Sequence, residues 1–393
     1  MKEGWEYKKL GDTLLFDKRF QGLSGCKQEK IVSFSHVSAE ELKSLVDVNG
    51  DVRLLSTGNF SGYTTKEKAG VSLNSGEVIT IPTGGTANIK YHKGLFVDSG
   101  NIIGVASNTS IVLRFIYYAM IAKNDIINSY YRGASIKHPY MPDIYKIPIP
   151  IPSTFEQHNI VEELDLLNFI VEKKKAQLDE LDNLAQSLFY EMFGSPITNE
   201  KEWQFYNMED LCLNIVDCPH STPKKVDYVT QFPCIRTSEL KGGTVQWETM
   251  QYLDENEYNV RIGRLKPIAG DIVFGREGTI GDAVILPSGY SFCLGQRTML
   301  LRVDGAKVSN VYLHRVILSE WVKRQIDAVN VSSTVAHVNI KDFKLFKIPL
   351  PPMDLQNQFA EKIQNIEHQK ELIKKSIKEV ETLFNSRMDY YFN

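Results

Sequence analysis

No stretch of this 393-residue chain approaches the run of about 18 apolar residues that a membrane span requires. The opening Met1-Lys2-Glu3-Gly4-Trp5 has none of the apolar core of a signal peptide, so the expected location is cytoplasmic. Cysteine is scarce: Cys26, Cys212, Cys218, Cys234 and Cys293 are odd in number and never form C-x-x-C, which argues against a disulfide framework or zinc site and for buried thiols. Catalytic signatures are missing as well. There is no H-E-x-x-H, no G-x-S-x-G and no metal-spaced set of histidines, and Gly275 to Gly281 is not followed by the Lys and Ser or Thr of a phosphate-binding loop. A methyltransferase would need a glycine-rich cofactor loop after a strand and an N/D-P-P-F/Y turn, and neither is present. Asp227 with Glu239-Leu240-Lys241 is a weak D…E-x-K match, and the stretch that repeats it carries Asn59 in place of the acid. The chain reads as no enzyme and as holding no metal or cofactor of its own; an autonomous nuclease or nuclease-methyltransferase component is the alternative.

A composition of 42% hydrophobic and 24% charged residues is ordinary for a globular protein, and the length predicts two or more domains. The net charge of −3 looks unfavourable for a nucleic-acid binder until it is divided. Residues 1–150 carry 18 Lys and Arg against 14 Asp and Glu, residues 195–350 carry 18 against 18, and the remaining segments 9 against 16. The acidity is confined to those segments, which leaves room for a local basic face on the rest.

What is present is a repeat. Lys146-Ile147-Pro148-Ile149-Pro150 returns as Lys347-Ile348-Pro349-Leu350-Pro351, each time ahead of a long helical pattern. The first seam runs Ile160, Leu164, Leu167, Val171, Lys174, Leu178, Leu181, Ala185, Leu188, Met192; the second runs Phe359, Ile363, Ile366, Lys370, Ile373, Ile377, Val380, Phe384. Alternating steps of four and three make a heptad seam, so each half ends in a coiled-coil helix. Ser153 with Glu156 predicts a capping box, Asp354 an N-cap, and the prolines forbid earlier entry into helix. At about 1.5 Å per residue each rod is roughly 57 Å long, and its narrow apolar seam needs a partner. The economical partner is the other copy, paired antiparallel about a pseudo-twofold axis. The aromatic ends Leu188–Phe193 and Met388–Phe392 predict that each helix end packs on a globular domain.

Ahead of the helices lie two mixed α+β segments, 1–150 and 195–350, with the helices at 151–194 and 351–393. Val52–Leu55, Val78–Ile81 and Ile102–Val105 read as strands, and Ser38–Val46 and Ile111–Asn128 as helix. The second segment repeats the plan. Gly270-Asp271-Ile272-Val273 with Gly278 echoes Gly76-Glu77-Val78-Ile79 with Gly84, Thr334-Val335-Ala336-His337 echoes Ser135-Ile136-Lys137-His138, and Ile235 to Gly242 aligns with Leu55 to Gly62. Shared frames with unlike side chains imply that the helices do a common job while each globular part binds something different.

This order of globular domain, K-I-P-I-P entry, long helix, second domain, K-I-P-L-P-P entry and second long helix resembles the DNA-specificity subunit of type I restriction-modification enzymes, over the whole chain. Asp217-Cys218-Pro219-His220-Ser221-Thr222-Pro223-Lys224, Phe232 to Thr237, Gly270 to Val273, Gly278 to Gly281 and Gln296-Arg297 resemble that family's target-recognition domains. The first domain departs from the pattern: it lacks D-x-P-H-x-T-P and has Thr83-Gly84-Gly85-Thr86 in place of Glu277 to Ile280. The resemblance implies two similar target-recognition domains separated by an antiparallel coiled coil, each reading one half of a bipartite double-stranded DNA sequence. The helices would act as a ruler and dock two methyltransferase subunits, with S-adenosylmethionine expected on those partners, and restriction subunits would join to cleave.

On that reading, candidate DNA contacts are side chains that can fork onto guanine, pair with adenine or hold phosphate. In the second domain these are His220, Ser221, Thr222, Lys224, Arg236, Thr237, Arg276 and Arg297; in the first, Arg53, Thr57, Asn59, Thr83, Thr86, Asn88, Lys90 and His92. His138 and His337, at matching places near the entry to each helix, read as packing or hinge residues. Lys174 and Lys370 interrupt the seams, either to fix helix register or to face a docked partner subunit.

Overall fold

The repeated Lys-Ile-Pro stretch is a strand in both halves. In the computed structural model, which describes residues 4–17, 32–330 and 337–393, Pro148–Ile151 pairs antiparallel with Glu6–Lys9, and Lys347–Pro349 with Phe205–Asn207. Each globular domain is thus closed by joining its first strand to its last. Cys26 and Thr334–Ala336 lie outside the described residues. The other four cysteines are unbridged thiols, Cys212 half-buried and the rest buried. No helix among the described residues is long and apolar enough to cross a membrane.

The chain divides into two compact units, Met1–Lys175 with Lys375–Asn393, and Ala176–Lys374. The two long helices, Thr154–Phe193 and Met353–Phe392, each contribute one part to each unit. The capping box forms as expected, with the Glu156 N–H donating to Ser153 Oγ at 3.3 Å and the Ser153 N–H to Glu156 Oε2 at 3.2 Å. The second helix already begins at Met353, so Asp354 lies within its first turn and is not the cap.

In the first unit a six-stranded sheet has the order Leu14–Phe16, Asn101–Ala106, Asn74–Pro82, Lys90–Ser99, Val52–Ser56, Ser61–Thr64. All pairs are antiparallel except Val52–Ser56 with Lys90–Ser99. The helical stretch read over Ile111–Asn128 is two helices, Leu113–Ala122 and Asn124–Ser129, which meet at Lys123. Ile160 and Leu164 of the first long helix and Met388 and Phe392 of the second enter the core that holds Phe115 and Tyr118. The start of one helix therefore lies beside the end of the other, with Arg387 forking onto Glu163 at 2.5 and 2.9 Å and the Phe392 and Phe115 rings 5.2 Å apart.

The second unit splits the corresponding sheet in two. Cys212–Asp217, Thr298–Val303, Ile272–Gly275 and Ala283–Ile285 form one antiparallel sheet, and Lys225–Val226, Gln251–Leu253, Pro233–Ile235 and Cys293–Leu294 form the other. The cause is local. Where the first domain runs a continuous ten-residue strand, Lys90–Ser99, the second has Pro287-Ser288-Gly289 between two short strands. The helices pair antiparallel here too: Phe193 at the end of one packs on Phe359 near the start of the other at 5.2 Å and on Tyr312 at 4.7 Å.

Two buried glutamines at matching positions fasten each long helix to its domain. Gln157 accepts from the Val112 N–H at 2.8 Å and donates to the Ser110 and Pro152 carbonyls at 3.0 Å. Gln356 accepts from the Ser309 N–H at 2.8 Å and donates to the Pro351 carbonyl at 2.9 Å. A buried amide with its partners in place costs little, whereas an apolar replacement would orphan them.

His314, on the helix Asn310–Ile317, is buried and donates to the Ala283 carbonyl at 2.9 Å, and its burial lowers its pKa from 6.5 to about 4. The unfolded chain then binds a proton that the fold refuses, so this contribution is whole above the unfolded pKa and is lost as pH falls toward the folded one. A loss of about 3 kcal/mol between neutral pH and pH 4 is expected from this group. Urea unfolding at stepped pH checks it, because His314→Gln should flatten that part of the profile.

Candidate nucleic-acid interface

Three loops of the second domain emerge at one end of its antiparallel sheet. Asp217 pairs with Met299 and Gly275 with Thr298, so Cys218–Lys224, Arg276–Gly281 and the residues before Thr298 leave the same edge. Cys218, His220, Arg276, Glu277, Gln296 and Arg297 line a small polar cavity of about 150 Å³ between them. Asp217 holds the group together, with one carboxylate oxygen 2.5 Å from Arg276 Nη1 and the other 3.2 Å from His220 Nε2.

Arg297 stands out on its backbone. Its φ of 66° lies in the left-handed region that a residue with a side chain seldom adopts, and its carbonyl accepts from the Arg276 N–H at 2.9 Å. The side chain is 64% exposed, and among the described residues its ion pair is a 3.5 Å contact to Glu277. A guanidinium presented in this way can fork onto a guanine edge. His220, which lines the same cavity, is exposed, as are Ser221, Thr222 and Lys224.

Other expected contacts are committed elsewhere. Arg236 forks onto Glu239, which is wholly buried, at 2.6 and 3.2 Å, and also donates to the Thr249 carbonyl at 2.9 Å; it is an internal brace. Arg276 is 11% exposed and serves to hold Asp217. Thr237 is half-buried, and its carbonyl accepts from Thr279 Oγ1 at 3.0 Å. The same geometry removes the D…E-x-K reading, because the Glu239 carboxylate is fully occupied by Arg236, Ser238 and Thr249. Among the described residues no group of three or more His, Cys, Asp and Glu is placed to hold a metal.

In the first domain Arg53, Asn59, Asn88, Lys90 and His92 come together around an open cavity of about 430 Å³. Asn59 and Thr86 are exposed, Thr57 is half-buried, and Arg53 lies over the Tyr63 ring at 4.8 Å. The remaining four candidates bind backbone. Lys90 Nζ donates to the Ser56 and Gly58 carbonyls at 2.5 and 2.6 Å, and burial pulls its pKa below the ordinary lysine range. Asn88 donates to the Gly58 carbonyl at 2.9 Å and His92 Nε2 is 3.0 Å from the Leu95 carbonyl. Thr83 Oγ1 donates to the Gly100 carbonyl, while Thr83 O accepts from Nδ1 of the exposed His138 at 2.6 Å.

Of the two seam lysines, Lys370 is 6% exposed and its ammonium lies 2.6 Å from Asp182 on the other long helix and 3.2 Å from Glu367. That burial corrects the expectation that it faces a docked partner: it pairs across the seam, where a polar group penalises other registers. Lys174 is half-buried in its own seam.

Arg261 and Arg264 are not among the contacts expected from the sequence. They sit on and just after the helix Glu255–Arg261 and donate to backbone carbonyls of the Asp217–Ser221 loop. No local pattern announces this, because the loop they hold lies about 40 residues away in the chain.

A duplicated α+β domain, closed through a Lys-Ile-Pro strand, presenting unlike loops and fastened to an antiparallel pair of long helices, defines a two-headed recognition protein. Residues 2–183 and 200–382 each match the type I restriction modification DNA specificity domain, and the chain belongs to that family. It is 19% identical to the type I restriction enzyme MjaVIII specificity subunit of Methanocaldococcus jannaschii, over 96% of this chain and 90% of that one. It is 22% identical to the EcoDI specificity subunit of Escherichia coli, over 75% and 71% of the two chains. The fold is similar to the crystal structure of the type I restriction-modification S subunit from M. genitalium, with a TM-score of 0.65 and 13% identity over 99% of this chain and 96% of that one.

Proposed function

We propose that the chain is the DNA-recognition subunit of a type I restriction-modification complex and that each globular domain reads one half of a bipartite duplex sequence. The observation that carries this is a common frame bearing different outward chemistry. One domain offers His220, Ser221, Thr222, Lys224 and Arg297; the other offers Arg53, Asn59 and Thr86. The long helices set the gap between half-sites. They also bear apolar side chains that neither unit covers, such as Phe155 at 75% exposure and Leu166 and Phe169 at 56%, which support the docking of methyltransferase subunits. Those two partners would carry S-adenosylmethionine, restriction subunits would join them for cleavage, and this chain would do no chemistry of its own.

Methylome sequencing of a cell that carries this chain with its partner subunits tests the reading. One motif with two defined halves and a constant gap is expected. A single uninterrupted motif, or methylation without any motif, would contradict it.

A further inference from the structure

We propose that the outward loops of both domains are held in reading geometry by side chains that grip their backbone carbonyls, and that these clamp residues set the selectivity of each half-site without touching a base. The inference rests on the functional reading above, which gives those loops their DNA. In the second domain five successive carbonyls are taken by three side chains. Arg264 Nη1 donates to Asp217 O at 3.2 Å and Cys218 O at 3.1 Å, Arg261 Nη2 to Pro219 O at 3.3 Å, Gln296 Nε2 to His220 O at 2.6 Å, and Arg261 Nη1 to Ser221 O at 3.1 Å. The Arg261 side chain has no exposure, and its Nε is fixed on the Leu294 carbonyl at 2.9 Å.

The first domain solves the same problem with different residues on a different loop. Lys90 takes the Ser56 and Gly58 carbonyls, and Asn88 adds a second donor to Gly58 at 2.9 Å and reaches Thr57 O at 3.5 Å. The physical reasons coincide. Carbonyl oxygens facing a polyanion would repel it, and turning them toward a cation removes that repulsion while leaving the side chains outward. A loop tethered at successive peptides also loses little entropy on binding, so its selectivity does not depend on ordering at the moment of contact. Arg261 suits this role because its planar fork spans carbonyls two residues apart, which a point-like ammonium cannot do.

The test uses the chain assembled with its methyltransferase partners and three duplexes: the full site, the site with its first half substituted, and the site with its second half substituted. In Arg261→Lys and in Arg264→Gln, the preference for the intact second half should fall about tenfold or more. The preference for the first half should stay unchanged, and amide exchange should rise at 218–222 but not in the sheet strands. Arg264 is exposed, so Arg264→Gln keeps the test open should Arg261→Lys fold poorly. Lys90→Met should give the mirror result, with the loss confined to the first half. Folded Arg264→Gln with both preferences intact, or with both reduced equally, would overturn the inference. A wild-type complex with no bipartite preference would instead overturn the functional reading on which it rests.

Discussion

Replacing Glu239 by alanine should destabilise the second unit by about 3 kcal/mol, within the range for removing one partner of a buried ion pair. The carboxylate is wholly buried and accepts from the Arg236 N–H at 2.8 Å, from the Arg236 guanidinium at 2.6 and 3.2 Å, from Ser238 Oγ at 2.6 Å and from Thr249 Oγ1 at 2.9 Å. Alanine strands all of these donors at once. The low end of the range applies because Arg236 keeps 29% exposure and can recover some water. Glu239→Gln, which retains an acceptor oxygen, should lose less. Urea unfolding followed by tryptophan fluorescence, to which Trp203, Trp247 and Trp321 contribute from the same unit, measures the difference; an alanine variant within about 0.5 kcal/mol of wild type would show that the Glu239 carboxylate does not hold Arg236 in place.

A second large loss is expected when the chain is cut after Asn385. The cut removes Met388 and Phe392, 6% and 3% exposed in the first unit's core, together with the Arg387 fork on Glu163 and the Lys123 bond to the Phe392 carbonyl at 3.1 Å. Burying a phenylalanine and a methionine is worth roughly 3–5 and 2–5 kcal/mol in truncation terms. Their sum rivals the whole stability of an ordinary domain. The shortened chain should therefore be insoluble or should unfold its first unit at much lower urea, while Phe392→Ala alone gives an intermediate loss. Coincident unfolding curves for the full and shortened chains would contradict the packing of that helix end.

Much of the architecture could be read from the residues because it is periodic or repeated. The heptad seams, the Ser153–Glu156 box and the strands over Val52, Val78 and Ile102 are local patterns, and local patterns survive folding. The pairing of Pro148–Ile151 with Glu6–Lys9 could not be read this way, since it joins the two ends of a domain and no turn between them signals the register. The site was legible as a region more than as roles. The Asp217 to Lys224 stretch resembles a target-recognition segment, but residue type does not reveal whether a cation faces outward or inward. Arg297 faces outward, whereas Arg236, Arg276 and Lys90, equally plausible as phosphate contacts, turn to Glu239, Asp217 and backbone carbonyls. The offset of about 199 that relates the two seams also relates Gln157 to Gln356, yet glutamine after a proline run carries no signal until its partners at Ser110 and Ser309 are seen.

Methylome sequencing with Arg297→Ala asks whether one chain carries two independent readers on a duplicated frame. Arg297 touches no core, so the complex should assemble and methylate. The expected motif keeps the first half and gap of the wild type, while one position of the second half becomes degenerate by about 1–3 kcal/mol of lost discrimination. A motif altered in both halves, or one unchanged throughout, would contradict it.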